Sequence, residues 1–204
     1  MSEKVYLYPV WIRLWHWFNA VLCLLLIITG VSMQYSDPAY PMIRFDWSVS
    51  IHDVAGILLA VNYIGFIFGN LFTSNGRHYI FRKGILKNLF VQARYYAYGI
   101  FKKEEPPFPI SKESKFNPLQ KMSYIIIMHV AVPIVAITGI MIFFPERMVF
   151  DVFGNKALHL TDIIHVIMGF VISLFLVVHI YFCTIGLTPL SNFKSMFNGY
   201  HEKH

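Results

Sequence analysis

Five of the nine histidines stand in the most apolar stretches of the chain: His16, His52, His129, His165 and His179. A neutral imidazole offers one lone pair to a metal and one N–H to a hydrogen-bond acceptor. An ionisable group at membrane depth is costly and marks function by default. One such histidine alone reads as a hydrogen-bonded interior residue. Several at matched depths read as paired ligands, and two facing imidazoles suit a metal that takes two axial nitrogens.

Those histidines need long elements to position them. The chain has 204 residues, of which 56% are apolar and 14% charged. It carries 23 uncharged residues between Arg13 and Asp37, 23 between Asp53 and Arg77, 24 between Lys121 and Glu146, and 31 between Asp162 and Lys194. Roughly 20 apolar residues span a bilayer as a helix, so each run is long enough. The expected fold is all-α: one integral membrane four-helix bundle over residues 1–204, with spans at about 10–34, 49–72, 119–144 and 159–187. Trp11, Trp47, Tyr124 and Tyr181 fall near span ends, as interfacial aromatics do. A soluble enzyme, a secreted disulfide scaffold and a DNA-binding domain are excluded. No strands are expected.

Charge gives an orientation. Of the 17 basic residues, nine lie between Arg77 and Lys115, whereas the 35–48 loop holds only Arg44 and the 145–158 loop only Arg147 and Lys156. Lys/Arg-rich loops stay cytoplasmic, which places both termini and the long loop inside and the short loops outside. The net charge of +6 thus reports topology rather than nucleic acid. Within the long loop, Phe81, Ile85, Leu89, Ala93, Tyr96 and Ile100 recur at helical spacing, with Arg82, Lys83, Lys87 and Arg94 on other faces. An amphipathic helix over 78–101, lying on the cytoplasmic surface, is expected, followed by a proline-bearing linker from Glu104 to Ser114. The first run is long enough to span and lacks a small-x-small site, so it reads as a retained helix rather than a signal peptide. Cys23 and Cys183 read as small core residues. No C-x-x-C-H is present, which excludes covalent haem attachment.

Depth then pairs the histidines. His165 and His179 are 14 residues apart, about 21 Å along a helix and on nearly one face. With span 1 entering from inside and span 2 from outside, His52 pairs with His165 near the outer surface and His16 with His179 near the inner. Two stacked bis-imidazole sites result. Haem iron takes two axial imidazoles, and its porphyrin suits an apolar helix interior. Zinc prefers three or four ligands, often with Cys or carboxylate, and fits less well. Gly56 and Gly169 each follow an outer histidine by four residues and leave room for a flat macrocycle, close helix packing being the alternative. Arg13, one turn before His16, is a partner for a haem propionate or a positive-inside anchor. His129 lies nearer mid-membrane, outside the pairing; a packing or quinone-adjacent role is the reading, with replacement of His179 as the partner of His16 as the alternative. His159 is read as interfacial, and His78, His201 and His204 as surface residues. Thr29-Gly30 and Thr138-Gly139 echo each other without amounting to a repeat.

At these residues the chain resembles the cytochrome b (gamma) subunit of membrane-bound formate dehydrogenases, a group that includes the b-type cytochromes of nickel–iron hydrogenases and thiosulfate reductases. The passages are Leu14-Trp15-His16-Trp17, Ile51-His52-Asp53-Val54-Ala55-Gly56, Lys115-Phe116-Asn117-Pro118-Leu119-Gln120-Lys121, Ile164-His165 through Gly169, Val178-His179-Ile180-Tyr181 and Phe193-Lys194-Ser195-Met196-Phe197-Asn198-Gly199. The resemblance implies two haem b groups in a four-helix bundle of a bacterial or archaeal cytoplasmic membrane. It also implies an iron–sulfur subunit and a catalytic oxidoreductase subunit as partners, and menaquinone or ubiquinone reduced near the inner haem. The quinone residues it implies are His179 and Asn117, with Gln120 beside them; a helix N-cap is the other reading of Asn117. The chain ends soon after span 4, unlike the formate dehydrogenase subunit with its long charged tail, which bears on which member it is nearest.

The expected function is therefore an electron wire between an outer iron–sulfur partner and the quinone pool, without a dehydrogenase site of its own. A stand-alone two-haem oxidoreductase with a diffusible donor, a histidine-based metal transporter and a passive anchor are the alternatives. The absence of spanning carboxylates weighs against the transporter.

Overall fold

The structure, a computed structural model, describes residues 4–80, 84–152, 154–186 and 188–202. Four helices are long and apolar enough to cross a membrane: α1 (Val10–Tyr35), α2 (Phe45–Phe72), α4 (Pro118–Ile142) and α5 (Ala157–Cys183). Two shorter ones, α3 (Ile85–Ala97) and α6 (Ser191–Asn198), complete the helical set among the described residues. The all-α membrane reading is confirmed.

Burial in these helices is inverted relative to a water-soluble domain. Leu14, Val61, Phe170 and Val177 are more than half exposed, while Thr29, Ser32, Ser48, Thr138 and Thr161 are buried. Apolar side chains face outward because hydrocarbon is their solvent, and hydroxyls turn inward where they find partners. The inward threonines bond within their own helices, as Thr29 does to the Leu25 carbonyl at 2.7 Å and Thr161 to that of Ala157 at 2.9 Å, whereas Ser48 donates across to Ser32 and Ser32 to the Ile43 carbonyl.

The helix ends differ from the apolar runs. α2 begins at Phe45, four residues before the expected start, because Asp46 sits in its first turn. A carboxylate there favours the helix dipole and pairs with Arg44 at 2.8 Å. α5 stops at Cys183, and Leu187, the expected end of span 4, lies outside the described residues. Within α4 the residues Ile127–Ala131 form a π turn. Pro133 explains it: its missing N–H cannot reach the carbonyl of His129, and the wider turn absorbs the gap.

The expected 78–101 helix is shorter. Residues Ser74–Tyr79 form a 3-10 turn whose cap, Thr73, accepts from the Asn75 N–H. Gly84 then takes φ 81°, a left-handed conformation that ends any continuous helix, and α3 starts at Ile85. Phe81, Arg82 and Lys83 lie outside the described residues, as does His204. Ile100 falls in a second 3-10 turn, Gly99–Lys102. On α3, Leu86 and Phe90 point outward one turn apart and Gln92 is buried.

Four short strands correct the expectation of none. β1 (Lys4–Tyr6) pairs antiparallel with β4 (Tyr200–Glu202), and β2 (Asp151–Val152) with β3 (Asn155–Lys156). The first pairing ties segments nearly 200 residues apart, which no local periodicity reveals.

The chain divides into two compact units, one of residues 1–13, 68–127 and 178–204 and one of residues 14–67 and 128–177. The second is a bundle of segments from all four long helices. Leu22, Ala55 and Leu59 form its buried cluster, with Cys23 and Leu26 against them. Phe66 is fully buried there, stacked on Trp15 with ring centres 4.6 Å apart. In the first unit, the β1–β4 pair is extended by Gly199, whose carbonyl accepts from the N–H groups of Leu7 and Tyr8.

Gly199 has φ 88°, and a Cβ there would lie 2.5 Å from the Tyr6 ring and 2.7 Å from the Tyr8 carbonyl oxygen. Gly199→Val is expected to lower stability by about 1–3 kcal/mol. A thermal melt checks this, and limited proteolysis should find the β1 segment newly open to cleavage.

Candidate functional site

The second unit brings two of the predicted ligands together. His52 of α2 and His165 of α5 face each other with ring centres 6.1 Å apart and planes at 65°. Imidazole–metal bonds are about 2 Å long, so two rings sharing one metal stand roughly 6 Å apart. The spacing fits an iron held by both.

Each ring is held from a neighbouring helix by the threonine of one of the two Thr-Gly pairs. Thr29 Oγ1 lies 2.9 Å from His52 Nδ1, and Thr138 Oγ1 lies 3.0 Å from His165 Nδ1. The adjoining glycines admit the rings: a Cβ on Gly30 would stand 3.5 Å from His52 Cε1, and one on Gly139 3.1 Å from His165 Cε1. The Thr-Gly echo was the available signal. It acquires meaning only across helices, so no single window of sequence could interpret it. Gly169 has open space where a Cβ would point, and a Cβ on Gly56 would meet only Leu26 Cδ2 at 4.0 Å. Both leave room for a flat group. Among the described residues no group of three or more His, Cys, Asp or Glu is placed to hold a metal. A two-imidazole set suits an iron whose remaining ligands come from a macrocycle.

Other histidines occupy their own surroundings. In the second unit, His16 makes an edge contact with Trp17 at 5.4 Å. His129 stands in the π turn with its ring 6.4 Å from Phe66. In the first unit, His179 Nε2 lies 3.7 Å from Cys183 Sγ and its ring 6.0 Å from Tyr124. Cys183 is therefore a neighbour of a predicted ligand as well as a packing residue. Arg13 donates from its guanidinium to the Phe197 carbonyl, and its buried Nε has no hydrogen-bond partner among the described residues.

Asn117 caps α4. Its Oδ1 accepts from the Gln120 N–H at 2.9 Å while Gln120 Oε1 accepts from the Asn117 N–H at 3.2 Å, a reciprocal capping box. That leaves the Asn117 amide nitrogen to donate to the Tyr96 hydroxyl at 2.8 Å. Burial pushes the Tyr96 phenol up. Beside this cap, Lys115 is only 3% exposed. Its Nζ donates to Asn75 Oδ1 at 3.1 Å and lies 4.6 Å from the centre of the Tyr8 ring. Lys115 also lines a cavity of about 480 Å³ shared with Trp11, Arg77, His78 and Lys112.

The sequence matches the family described as prokaryotic cytochrome b561 over residues 7–199. It is similar to a protein named cytochrome YdhU of Escherichia coli (strain K12), 39% identical over 202 residues, or 98% of this chain and 76% of that protein. It is also similar to a protein named as a Ni/Fe-hydrogenase B-type cytochrome subunit of Rhodobacter capsulatus, 28% identical over 149 residues. That match covers 67% of this chain and about half of the relative, 53%.

Burial holds the Lys115 ammonium down at about 8, from an ordinary 10.5. The unfolded chain therefore binds one more proton between those values, and stability rises with pH across that window by at most about 3 kcal/mol. Below about 8 both states hold the proton and the contribution is flat. Tyr8, pushed up to about 12 by burial, acts in the opposite sense above pH 10. Melting of detergent-solubilised protein between pH 7 and 10 should show the rise, and Lys115→Met should abolish it.

Proposed function

The chain belongs to the prokaryotic cytochrome b561 family, and from that premise we propose that it is the two-haem membrane anchor of a respiratory oxidoreductase, joining an iron–sulfur partner to the quinone pool. Membership makes it an integral membrane, haem b electron-transfer protein. The finer claims rest first on one observation: the His52 and His165 rings stand 6.1 Å apart on two different long helices.

Haem b supplies one-electron iron chemistry between its ferric and ferrous states. His52 and His165 hold the outer haem, with Gly56 and Gly169 leaving space for it. His16 and His179 hold the inner haem, a pairing drawn from their positions along the spans. The buried Arg13 Nε is a donor that a propionate would satisfy. The catalytic partner is supported by the hydrogenase relative, whose name makes it a subunit of a larger enzyme. Substrate oxidation belongs to that partner. Quinone, menaquinone or ubiquinone, takes up its electrons near His179, Asn117 and Gln120. Asn117 serves there with its amide nitrogen, since its oxygen is committed to the helix cap. The termini and the basic 73–118 segment face the cytoplasm, where protons for quinone reduction are available.

The test is spectroscopic. Purified protein reduced with dithionite should show b-type bands, with two haems per chain by pyridine haemochrome. His52→Leu and His179→Leu should each retain one. A colourless preparation would sink the proposal, and loss of the wrong haem in His179→Leu would overturn the pairing. Affinity purification from native membranes should bring down an iron–sulfur subunit.

A further inference from the structure

We propose that Thr29 and Thr138 are positioning residues that fix the proton of each His52 and His165 ring on Nδ1, and thereby set the reduction potential of the haem those rings hold. This rests on the ligand assignment made above. A threonine hydroxyl has one proton to give. Thr29 places it on the Leu25 carbonyl at 2.7 Å, and Thr138 on the Ile134 carbonyl at 2.8 Å. Each hydroxyl oxygen therefore faces the ring as an acceptor, 2.9 Å from His52 Nδ1 and 3.0 Å from His165 Nδ1. Only an Nδ1–H satisfies that contact. The two arrangements match residue for residue: helix carbonyl, threonine, glycine, imidazole.

Two consequences follow. With the proton held on Nδ1, Nε2 of both rings keeps its lone pair, which is the form that binds iron. A bond donated from Nδ1–H raises the basicity of the other nitrogen, which favours ferric over ferrous iron and lowers the potential. Gly139 is the tighter of the two glycines, since a Cβ 3.1 Å from His165 Cε1 would displace the ring, whereas 3.5 Å at Gly30 is ordinary contact.

The experiment is a redox titration of purified holoprotein carrying Thr29→Val, Thr138→Val or the matching Ser variants, followed in the haem absorption band. The Val variants should retain haem and shift the potential of the His52–His165 haem upward, leaving the other haem unmoved. The Ser variants should restore it. An unshifted potential in both Val variants overturns the inference. If a Val variant loses haem, retention in its Ser counterpart supports a role for the hydroxyl, and loss in both overturns it. Gly139→Ala should alter the low-spin electron paramagnetic resonance signal of that haem and Gly30→Ala should not; the reverse pattern counts against the geometry. The ligand assignment is tested separately by His165→Leu. If that variant keeps all its haem, the assignment fails. If it loses one haem while the Val variants show no shift, only the role of the threonines fails.

Discussion

A neutral imidazole has one N–H and one lone pair, and a helix interior in hydrocarbon supplies no water to either. Leaving a buried polar atom bare costs about 1–3 kcal/mol. In the second unit of this chain one nitrogen of His52 and one of His165 meet a threonine oxygen, and the rings stand at the spacing of two ligands on one metal. Much else in that unit follows from this requirement. The threonines are buried facing the rings, their hydroxyls are turned by the carbonyls behind them, and at Gly139 the ring crowds the place a side chain would take.

The same scarcity of partners shapes the rest of the molecule. Many hydroxyls turn inward while large apolar side chains such as Leu14, Phe170 and Val177 face outward, a distribution suited to lipid. In the first unit the polar groups close on one another: Asn117 with Gln120 and Tyr96, Lys115 with Asn75, Asn75 with Asn70. Among the described residues Lys115 has no acidic partner; an amide oxygen and the face of Tyr8 hold it there, and burial depresses its proton affinity.

The sequence showed the spans well, because absence of charge over more than 20 residues is a strong physical signal. It misplaced their ends where a charge is compatible with helix, as Asp46 is in the first turn of α2. It overextended α3 because helical periodicity in Phe81 and Ile85 took no account of the backbone of Gly84. The N-cap at Asn117 was readable ahead of Pro118, but its reciprocal bond with Gln120 was not. The β1–β4 pair was not, since its partners are brought together only by the folded chain. At the site, the pairing of His52 with His165 was readable from helix direction and residue count. Their threonine supports were visible as an echo, but the register between helices that gives the echo meaning is a tertiary fact.

The placement of those supports bears on biogenesis. Thr29 and His52 lie on consecutive helices joined by nine residues, and Thr138 and His165 on the next consecutive pair. Membrane helices form individually before they associate. Each imidazole thus has its hydroxyl support within its own neighbouring pair, so neither contact waits on the other pair. A group held by both rings, as the haem proposed above would be, would therefore link one consecutive helix pair to the other.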